Sequence, residues 1–306
     1  MSGSSVQERA QRMSSETLQP VGQQTRFLRG TWSSIADIWA HRELLALLVR
    51  RELKARYKDS SLGILWSLVR PLAQLLIYYF AVGQILGVAR NIPGFAIFVF
   101  VGLTAWTLFT EIVSAGTTSI VNNSGLVKKV YVPREIFPLS SVGGALFNFF
   151  VQLVILVVAT VAFGQAPWNV NLLYAPLSVC ILVVFGTALA IVLSAVNVYL
   201  RDVQHFVEVA LLILFWASPI VYSYKFVADA LQGNWLEQIY LANPITIAVL
   251  GMQKALWVQG STQPTVANWP PDLDARMWIV LAISLVLLWI SQRIFSRLQG
   301  NFAQEL

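Results

Sequence analysis

Apolar segments long enough to cross a bilayer recur along the chain and are separated by shorter polar stretches. A hydrocarbon core of about 30 Å needs about 20 helical residues at 1.5 Å per residue. Six segments meet this requirement, at residues 71–88, 93–113, 139–163, 172–197, 206–224 and 277–297. Each is predicted to be helical, because a lone strand would leave its backbone amides unpaired in lipid. Residues 71–306 are therefore predicted to form an all-α polytopic membrane domain with six transmembrane helices.

Basic residues are distributed unevenly between the two sides that these spans create. An even number of spans leaves both termini on one side, which then holds 17 of the 21 Lys and Arg residues. The other side holds Arg90, Lys225, Lys254 and Arg276. Since segments rich in Lys and Arg remain in the cytoplasm, both termini are expected to be cytoplasmic.

Two segments precede the first span. Residues 1–38, polar and rich in Ser and Gln, are predicted to be a disordered cytoplasmic tail. Residues 39–70 are predicted to contain an amphipathic interfacial helix. Its apolar stripe is Leu45, Val49, Leu53 and Tyr57, and its basic stripe is Arg50, Lys54 and Lys58. By composition alone, membrane anchoring is a sufficient role for this helix.

Residues 225–276, between the last two spans, contain an apolar stretch at residues 236–257 that Asn243-Pro244 interrupts. Neither half is long enough to span a bilayer. The prediction is two short helices that enter the outer leaflet or lie on it, and a small external cap is the alternative.

Composition excludes several classes of function. Charged residues make up 12% of the chain, against about 25% in soluble domains. The net charge is +6, and the basic residues lie beside apolar segments, where anionic lipid headgroups are a sufficient partner. Nucleic-acid binding is therefore not expected. No Gly-x-x-x-x-Gly-Lys-Ser/Thr loop is present, so any ATP and Mg would bind to another chain.

Metal and redox chemistry have little support in the sequence. His41 and His205 are far apart, and Cys180 is the single cysteine, so neither a metal site nor an internal disulfide is expected. Asp272 and Asp274 form an Asp-x-Asp pair of the kind that holds a cation in sugar-nucleotide transferases. A solvated turn is favoured, because the pair lies on the predicted external side.

Three groups of residues are candidates for function. The first group is aromatic and either provides stacking faces for a sugar path or simply lies at the membrane interfaces; it consists of Tyr78, Tyr79, Phe80, Phe215 and Trp216. A polar cluster at the cytoplasmic ends of the spans is Glu111, Arg201, Asp202 and Glu208. The cytoplasmic loop before the third span carries Lys128-Lys129 and, at residues 131–135, the sequence YVPRE. That loop either inserts into a partner or only orients the third span.

Several blocks, in order along the chain, resemble the type-2 ABC transporter permeases that export O-antigens, teichoic acids and related lipid-linked glycans. They are RYKDSSLGILW at 56–66 with Arg70-Pro71, KKVYVPRE at 128–135 with PLS at 138–140, YLRD at 199–202, PIVY at 219–222, Asn243-Pro244, and the ending NFAQEL, in which Gln304 replaces the usual acid. The resemblance covers residues 44–306.

The resemblance implies a homodimer with two cytoplasmic ATP-binding subunits, in the bacterial cytoplasmic membrane, that exports a polyprenyl-diphosphate-linked polysaccharide through a conduit between the two copies. Implied contacts with the ATPase are Lys128, Lys129, Val130, Tyr131, Arg134 and Glu135. Implied contacts with the lipid diphosphate are Arg50, Arg51, Lys54, Arg56 and Lys58. The implied cytoplasmic gate is Tyr199, Arg201, Asp202 and Glu208. The alternatives are a type-2 exporter of a drug or small lipid, a membrane glycosyltransferase and a passive channel.

Overall fold

The computed structural model describes residues 29–57, 66–129, 132–231, 233–262 and 269–306. The regular structure of these residues is helical, with no strand among them. The chain divides into two compact units, residues 1–40 and residues 41–306. In the first unit, the described residues form helix α1, Arg29–Ala40.

Helix α1 corrects the prediction for the N-terminal tail. Residues 1–28 lie outside the described residues, but residues 29–38, predicted to be disordered, are helical. The composition of the whole tail hid a local pattern, because Ile35 and Trp39 are four residues apart and lie on the same face of a helix.

The second unit contains the remaining helices. They are α2 (Arg42–Tyr57), α3 (Trp66–Tyr78), α4 (Phe95–Asn122), α5 (Ser124–Lys129), α6 (Ile136–Ala162), α7 (Tyr174–Tyr199), α8 (Val203–Trp216), α9 (Tyr224–Leu231), α10 (Trp235–Ala242), α11 (Pro244–Leu256), α12 (Val258–Thr262), α13 (Leu273–Leu298) and α14 (Phe302–Glu305). A π-helical segment, Tyr79–Ile85, continues α3. Short 3-10 turns occupy Val88–Arg90, Val170–Leu173 and Gln299–Asn301.

Four helical segments among the described residues are long and apolar enough to cross a membrane: Phe95–Asn122, Ile136–Ala162, Val170–Tyr199 and Leu273–Asn301. They correspond to the second, third, fourth and sixth predicted spans. Helices α4 and α7 run parallel to each other, as their contacts show below. Helices α7 and α13 also run parallel, because Tyr174 is hydrogen-bonded to Asp274 near their beginnings and the Tyr199 hydroxyl donates to the Leu298 carbonyl at their ends. We call the end where α4, α7 and α13 begin the upper end of the bundle, and the other the lower end.

The first and fifth predicted spans do not correspond to helices of membrane-spanning length among the described residues. In place of the fifth predicted span, α8 has 14 residues and ends at Trp216. Pro219 has no N–H and disfavours helical geometry at the preceding residue, so Ser218 leaves the helix and its carbonyl accepts from the Ile220 N–H at 2.8 Å. In place of the first predicted span, α3 widens into the π-helical segment, where the Leu86 N–H bonds to the Ala81 carbonyl, five residues back.

Helix α4 forms the centre of the bundle and packs closely against α7. A Cβ atom on Gly116 would lie 2.4 Å from the Cβ of Ala190, and one on Gly186 would lie 3.0 Å from Cγ2 of Ile112. In lipid, where the hydrophobic effect does not drive helices together, small residues permit the close backbone approach that association needs. These two contacts also establish that α4 and α7 run parallel.

Helix α11 lies inside the upper end and packs against α7, α4 and α13. The chain breaks at Asn243, as predicted, and the side chain of Asn243 caps α11 by accepting from the Ile245 N–H at 3.0 Å. Gln253 Nε2 donates to the Pro219 carbonyl at 2.7 Å, and Thr246 Oγ1 to the Ala217 carbonyl at 3.3 Å. Helix α11 therefore satisfies backbone groups that the early end of α8 leaves without helical partners.

Helix α2 packs against α6 at a pair of glycines. A Cβ on Gly143 would lie 2.6 Å from Cγ2 of Val49, and one on Gly144 would lie 3.4 Å from the carboxylate of Glu52. Leu48 on α2 is buried, and the adjacent Val49 is partly buried. A position for α2 in the membrane interface stays a prediction.

Candidate functional site

A groove of about 720 Å³ lies between α3, α4 and α8. Its lining consists of Arg70, Pro71, Gln74, Tyr78, Trp106, Thr107, Thr110, Glu111, Ser114, Ala115, Glu208, Leu211, Leu212, Phe215 and Trp216. A second cavity of about 300 Å³ continues it toward the lower end and shares Ser114, Ala115 and Glu208 with it. Together the two cavities follow one face of α4.

The upper part of the groove is aromatic and is organised around Phe215. Val207, Leu211 and Phe215 are spaced four residues apart on α8, which places all three on its buried face. The Phe215 ring, 7% exposed, stacks on Tyr78 with centroids 5.6 Å apart and meets Trp106 edge to face at 5.5 Å. The ring centroid of Trp216 lies 5.5 Å from that of Phe215, and Trp216 is 53% exposed, so it forms part of the open rim.

The lower part of the groove is polar because α4 carries a stripe of polar residues at helical spacing. The stripe consists of Thr107, Thr110, Glu111, Ser114 and Thr118. The hydroxyls of Thr107 and Thr110 donate to the carbonyls four residues earlier, at 2.8 and 3.0 Å. Thr118 lies 11 positions after Thr107, so the stripe is about 17 Å long.

Glu111 occupies the middle of this stripe. Asn148 of α6, which is buried, donates from its side-chain amide to Oε2 of Glu111 at 2.7 Å. A hydrogen bond of this kind fixes the carboxylate at the wall of the groove. Glu208 is on the opposite wall, on α8, with a largely exposed side chain 3.6 Å from Nδ1 of His205.

The structure brings together three of the five predicted aromatic residues, Tyr78, Phe215 and Trp216, and one predicted gate residue, Glu208. Tyr79 packs against the core instead, and Phe80 is 58% exposed, because successive residues of a helix point in different directions. Trp106 and the threonines of the stripe were missed by the sequence reasoning. The recurrence of polar residues every three or four positions in an apolar span was the signal that could have revealed them.

A second cluster, which we call the lower clamp, joins distant segments at the lower end. It consists of Arg134, Tyr199, the carbonyls of Leu298 and Gln299, and Phe302. Arg134 donates to the Gln299 carbonyl, and the Tyr199 hydroxyl donates to the Leu298 carbonyl at 2.6 Å. These carbonyls lie at the C-terminus of α13, where cations and donors are favoured.

Phe302 is the apolar centre of the lower clamp. Its ring is 0% exposed and meets Phe295 at 5.6 Å and Tyr199 at 6.1 Å, both edge to face. The Arg134 guanidinium carbon lies 5.5 Å from the ring centroid. The predicted coupling residue Arg134 and the predicted gate residue Tyr199 thus contact the same C-terminal segment.

Among the described residues, the other predicted coupling and gate residues are not gathered into one site. Lys128 and Lys129 end α5 and are exposed, whereas Glu135 is buried next to α6. Val130 and Tyr131 lie outside the described residues. Arg201 and Asp202 are exposed in the turn between α7 and α8 and are not among the groove's lining residues.

Of the predicted diphosphate-binding residues, the three with described side chains lie outside the groove lining. Arg50, Arg51 and Lys54 are exposed on α2, and Arg51 donates to the side-chain oxygen of Asn123 at the junction of α4 and α5. The structure describes the backbone of Arg56 within α2, while Lys58 falls outside the described residues.

Comparison with known proteins identifies the family of this helical arrangement. A family model described as "ABC-2 type transporter" matches residues 43–257, which include α2, the groove and α11. The chain belongs to the ABC-2 type transporter family. The predicted resemblance is thereby confirmed, and the protein is the membrane permease of a transporter.

Individual relatives narrow the family further. The ABC-2 permease is 33% identical over 273 residues to an "O-antigen export system permease protein RfbA" of Myxococcus xanthus, covering 89% of this chain and 98% of that protein. It is 27% identical over 269 residues to a protein of the same name from Klebsiella pneumoniae, covering 86% and 95%. The chain is therefore a multi-pass membrane permease of the O-antigen exporter type, and its family implies association with an ATP-binding ABC subunit.

The Asp-x-Asp pair lies at the upper end of the ABC-2 permease. Asp272 adopts a left-handed backbone conformation with φ of 58° immediately before α13, and Asp274 is in the first turn of that helix. Acidic side chains are favoured at a helix N-terminus. Among the residues that the structure describes, no three His, Cys, Asp or Glu side chains are grouped closely enough to hold a metal ion.

Proposed function

We propose that this ABC-2 permease is the membrane-spanning subunit of an ATP-driven exporter whose cargo is a polysaccharide linked to a polyprenyl diphosphate. The groove between α3, α4 and α8 is the observation that carries the proposal. Aromatic faces such as those of Tyr78 and Trp106 pack against C–H groups, while hydroxyl and carboxylate oxygens accept hydrogen bonds. A sugar ring presents both kinds of surface. The names of the similar proteins, which are O-antigen export permeases, support a glycan cargo.

We further propose that two copies of the chain face each other across this groove. Glu111 lies near the middle of α4, a helix of membrane-spanning length, while Leu212 and Trp216 are more than half exposed at the rim. A carboxylate that faced lipid at this depth would cost several kcal/mol. A second copy that covers the open side would keep the polar lining away from lipid and would turn the groove into one half of a conduit.

The ATP-binding subunits, which would carry the ATP and Mg, are expected to contact the lower end from the cytoplasm. Candidate contacts are Lys128, Lys129, Val130, Tyr131, Arg134 and Glu135. Two features support this position. The exposed Lys pair ends α5, and Arg134 connects the following loop to the C-terminal segment. Movement of that loop would therefore reach α13 through the lower clamp.

The diphosphate of the lipid carrier is expected to meet the basic face of α2. The proposed residues are Arg50, Arg51, Lys54, Arg56 and Lys58. Guanidinium and ammonium groups bind phosphate through charge-assisted hydrogen bonds. A series of Lys or Arg to Gln variants should bind a diphosphate lipid more weakly and a neutral lipid equally well. Unchanged preference for the diphosphate lipid across the series would remove α2 from the loading step.

The function is tested by co-purifying the tagged permease with its ATP-binding subunit, reconstituting both and measuring export of a lipid-linked glycan with ATP. Combined alanine substitution of Lys128, Lys129 and Arg134 should lower ATP-dependent export about tenfold, which corresponds to about 1.4 kcal/mol of lost contact. Lys225→Ala, at an exposed position near the upper end, is the matched control and should export normally.

Other functions give different results in the same assay. An exporter of a drug or small lipid would move short lipids with ATP and leave the glycan untouched. A membrane glycosyltransferase would act as a single chain without ATP, and a passive channel would conduct without any ATP-binding subunit. A permease that purifies alone under several mild conditions and shows no nucleotide-dependent transport would contradict the proposed function.

A further inference from the structure

The segment between α8 and α9, residues 217–223, is held in place by side chains of α11. We call this segment the α8 linker. The carbonyls of Trp216 and Ser218 accept hydrogen bonds from donors within the linker itself, at 2.7 and 2.8 Å. Those of Ala217 and Pro219 accept from two side chains of α11. The path of the linker therefore depends on a helix that begins more than twenty residues later in the sequence.

Gln253 makes the shorter and more buried of these two contacts. Its Nε2 donates to the Pro219 carbonyl at 2.7 Å, whereas Thr246 Oγ1 lies 3.3 Å from the Ala217 carbonyl. Gln253 is 1% exposed and Pro219 is buried as well. Separating the amide from the carbonyl would leave two buried polar groups unsatisfied, so this contact favours a single position of the linker.

The opposite side of the linker lies directly against α4. A Cβ on Gly102 would lie 3.0 Å from the carbonyl oxygen of Ile220 and 3.1 Å from its Cα. Ile220 is 0% exposed and Val221 is 2% exposed. Because α4 blocks displacement on one side, the hydrogen bonds from α11 are what keep the linker from moving away on the other.

The aromatic end of the groove begins where the linker ends. Phe215 lies two residues before the linker's Ala217, and its ring stacks on Tyr78 at 5.6 Å and meets Trp106 at 5.5 Å. An α-helix is stiff over one turn, so a displaced linker would carry the last turn of α8 with it. The three rings would then lose the arrangement that forms the upper part of the groove.

We propose that Gln253 is a positioning residue for glycan binding, which acts by fixing the α8 linker and thereby keeping Phe215 against Tyr78 and Trp106. This inference rests on the proposed function, because it takes the groove as the glycan path. Gln253 is buried and is not one of the lining residues of the groove, so it acts through Phe215 rather than by touching a sugar.

The experiment measures ATP-dependent export by Gln253→Met and wild-type permease, each reconstituted with the ATP-binding subunit. The substrate is the polyprenyl-diphosphate-linked glycan extracted from the native host and labelled with a fluorophore. Methionine keeps the length of the side chain and cannot donate a hydrogen bond. The apparent KM should rise about fivefold while the maximal rate stays within about twofold, because the lost contribution is to binding. Gln238→Met, at an exposed position on α10, is the matched control and should keep the wild-type KM.

Two further measurements distinguish positioning from a general loss of stability. Hydrogen–deuterium exchange of the linker amides should accelerate in Gln253→Met while exchange in α6 stays unchanged, since a globally destabilised protein would exchange faster in both. Phe215→Ala should itself raise the KM, and Gln253→Met should add less than about twofold to that increase, because both changes act on the same contact. Thr246→Val, which removes the longer contact, should raise the KM about twofold and serves as the test if Gln253→Met does not assemble.

The outcomes separate this inference from the function on which it rests. An unchanged KM in Gln253→Met, unchanged exchange of its linker, or effects of Gln253→Met and Phe215→Ala that multiply in full would overturn the positioning role. An unchanged KM in a folded Phe215→Ala would overturn the groove as the glycan path, and a wild-type complex that exports no glycan would overturn the proposed function itself.

Discussion

Replacing Phe302 with alanine should loosen the lower clamp and uncouple the C-terminal segment from the bundle. Phe302 is fully buried although it lies only four residues before Leu306. Its ring contacts Phe295 and Tyr199 edge to face and lies beneath the guanidinium of Arg134. Alanine would leave all three partners without the surface on which they pack.

The magnitude follows from these contacts. A buried Phe→Ala change in a protein core costs about 3 to 5 kcal/mol, which includes the cavity that remains. Each edge-to-face aromatic pair is worth about 0.5 to 1.5 kcal/mol beyond burial, and an exposed cation–π contact about 0.5 to 1 kcal/mol. Because α14 is a short terminal helix that can detach and so avoid an empty cavity, we expect a loss near the lower value, about 3 kcal/mol.

The assay is thermal unfolding of the purified permease in nanodiscs, with Phe163→Ala as the matched control. Phe163 is 71% exposed at the end of α6, so its replacement should change the free energy of unfolding by no more than about 0.5 kcal/mol. Trypsin cleavage at Arg134 is the second measurement. It should accelerate in Phe302→Ala and stay at the wild-type rate in Phe163→Ala, because the guanidinium would lose both the ring and a fixed Gln299 carbonyl.

Equal unfolding midpoints for Phe302→Ala and Phe163→Ala would refute the reasoning, since they would mean that the buried ring contributes no packing energy. Unchanged trypsin cleavage combined with a lowered midpoint would keep the packing argument. It would contradict only the connection from Phe302 to the loop of Arg134.

Two further predictions concern other parts of the fold. Gly116→Ala should lower the free energy of unfolding by about 1 to 3 kcal/mol, because the new Cβ would lie 2.4 Å from that of Ala190 and must separate α4 from α7. Gly125→Ala, a helical position with no atom within 4 Å of the new Cβ, should instead stabilise α5 slightly, and a lower midpoint there would contradict the packing argument. At the upper end, burial and then the hydrogen bond to Glu237 raise the pKa of Tyr224 above its usual 10. Because a raised pKa in the folded state favours the neutral tyrosine, the contribution of Tyr224 to the free energy of unfolding is fully present below pH 10 and falls as the pH rises further. Tyr224→Phe should flatten that fall, which is measured as the unfolding midpoint against pH.

The local sequence determined the helical class and much of the element order, because apolar length and backbone satisfaction in lipid are properties of single segments. The break at Asn243-Pro244 was also predictable, since Asn caps a helix and Pro fits its first turn. The length of the helix at the fifth predicted span was not predictable from the sequence. Its hydropathy continued past Trp216, and the carbonyls released there are stabilised by Gln253 and Thr246, which belong to another helix.

The site depended far more on tertiary structure. Helical periodicity specifies which residues share a face, but the choice of facing helix depends on packing between segments distant in the sequence. Tyr78 and Phe215 meet in the groove for this reason, whereas Phe80, two residues from Tyr78, is exposed. Arg134 likewise reaches a carbonyl 165 residues away. The sequence alone determined that the chain builds apolar helices with polar positions, and only the close packing around α4 decided which of those positions form one groove.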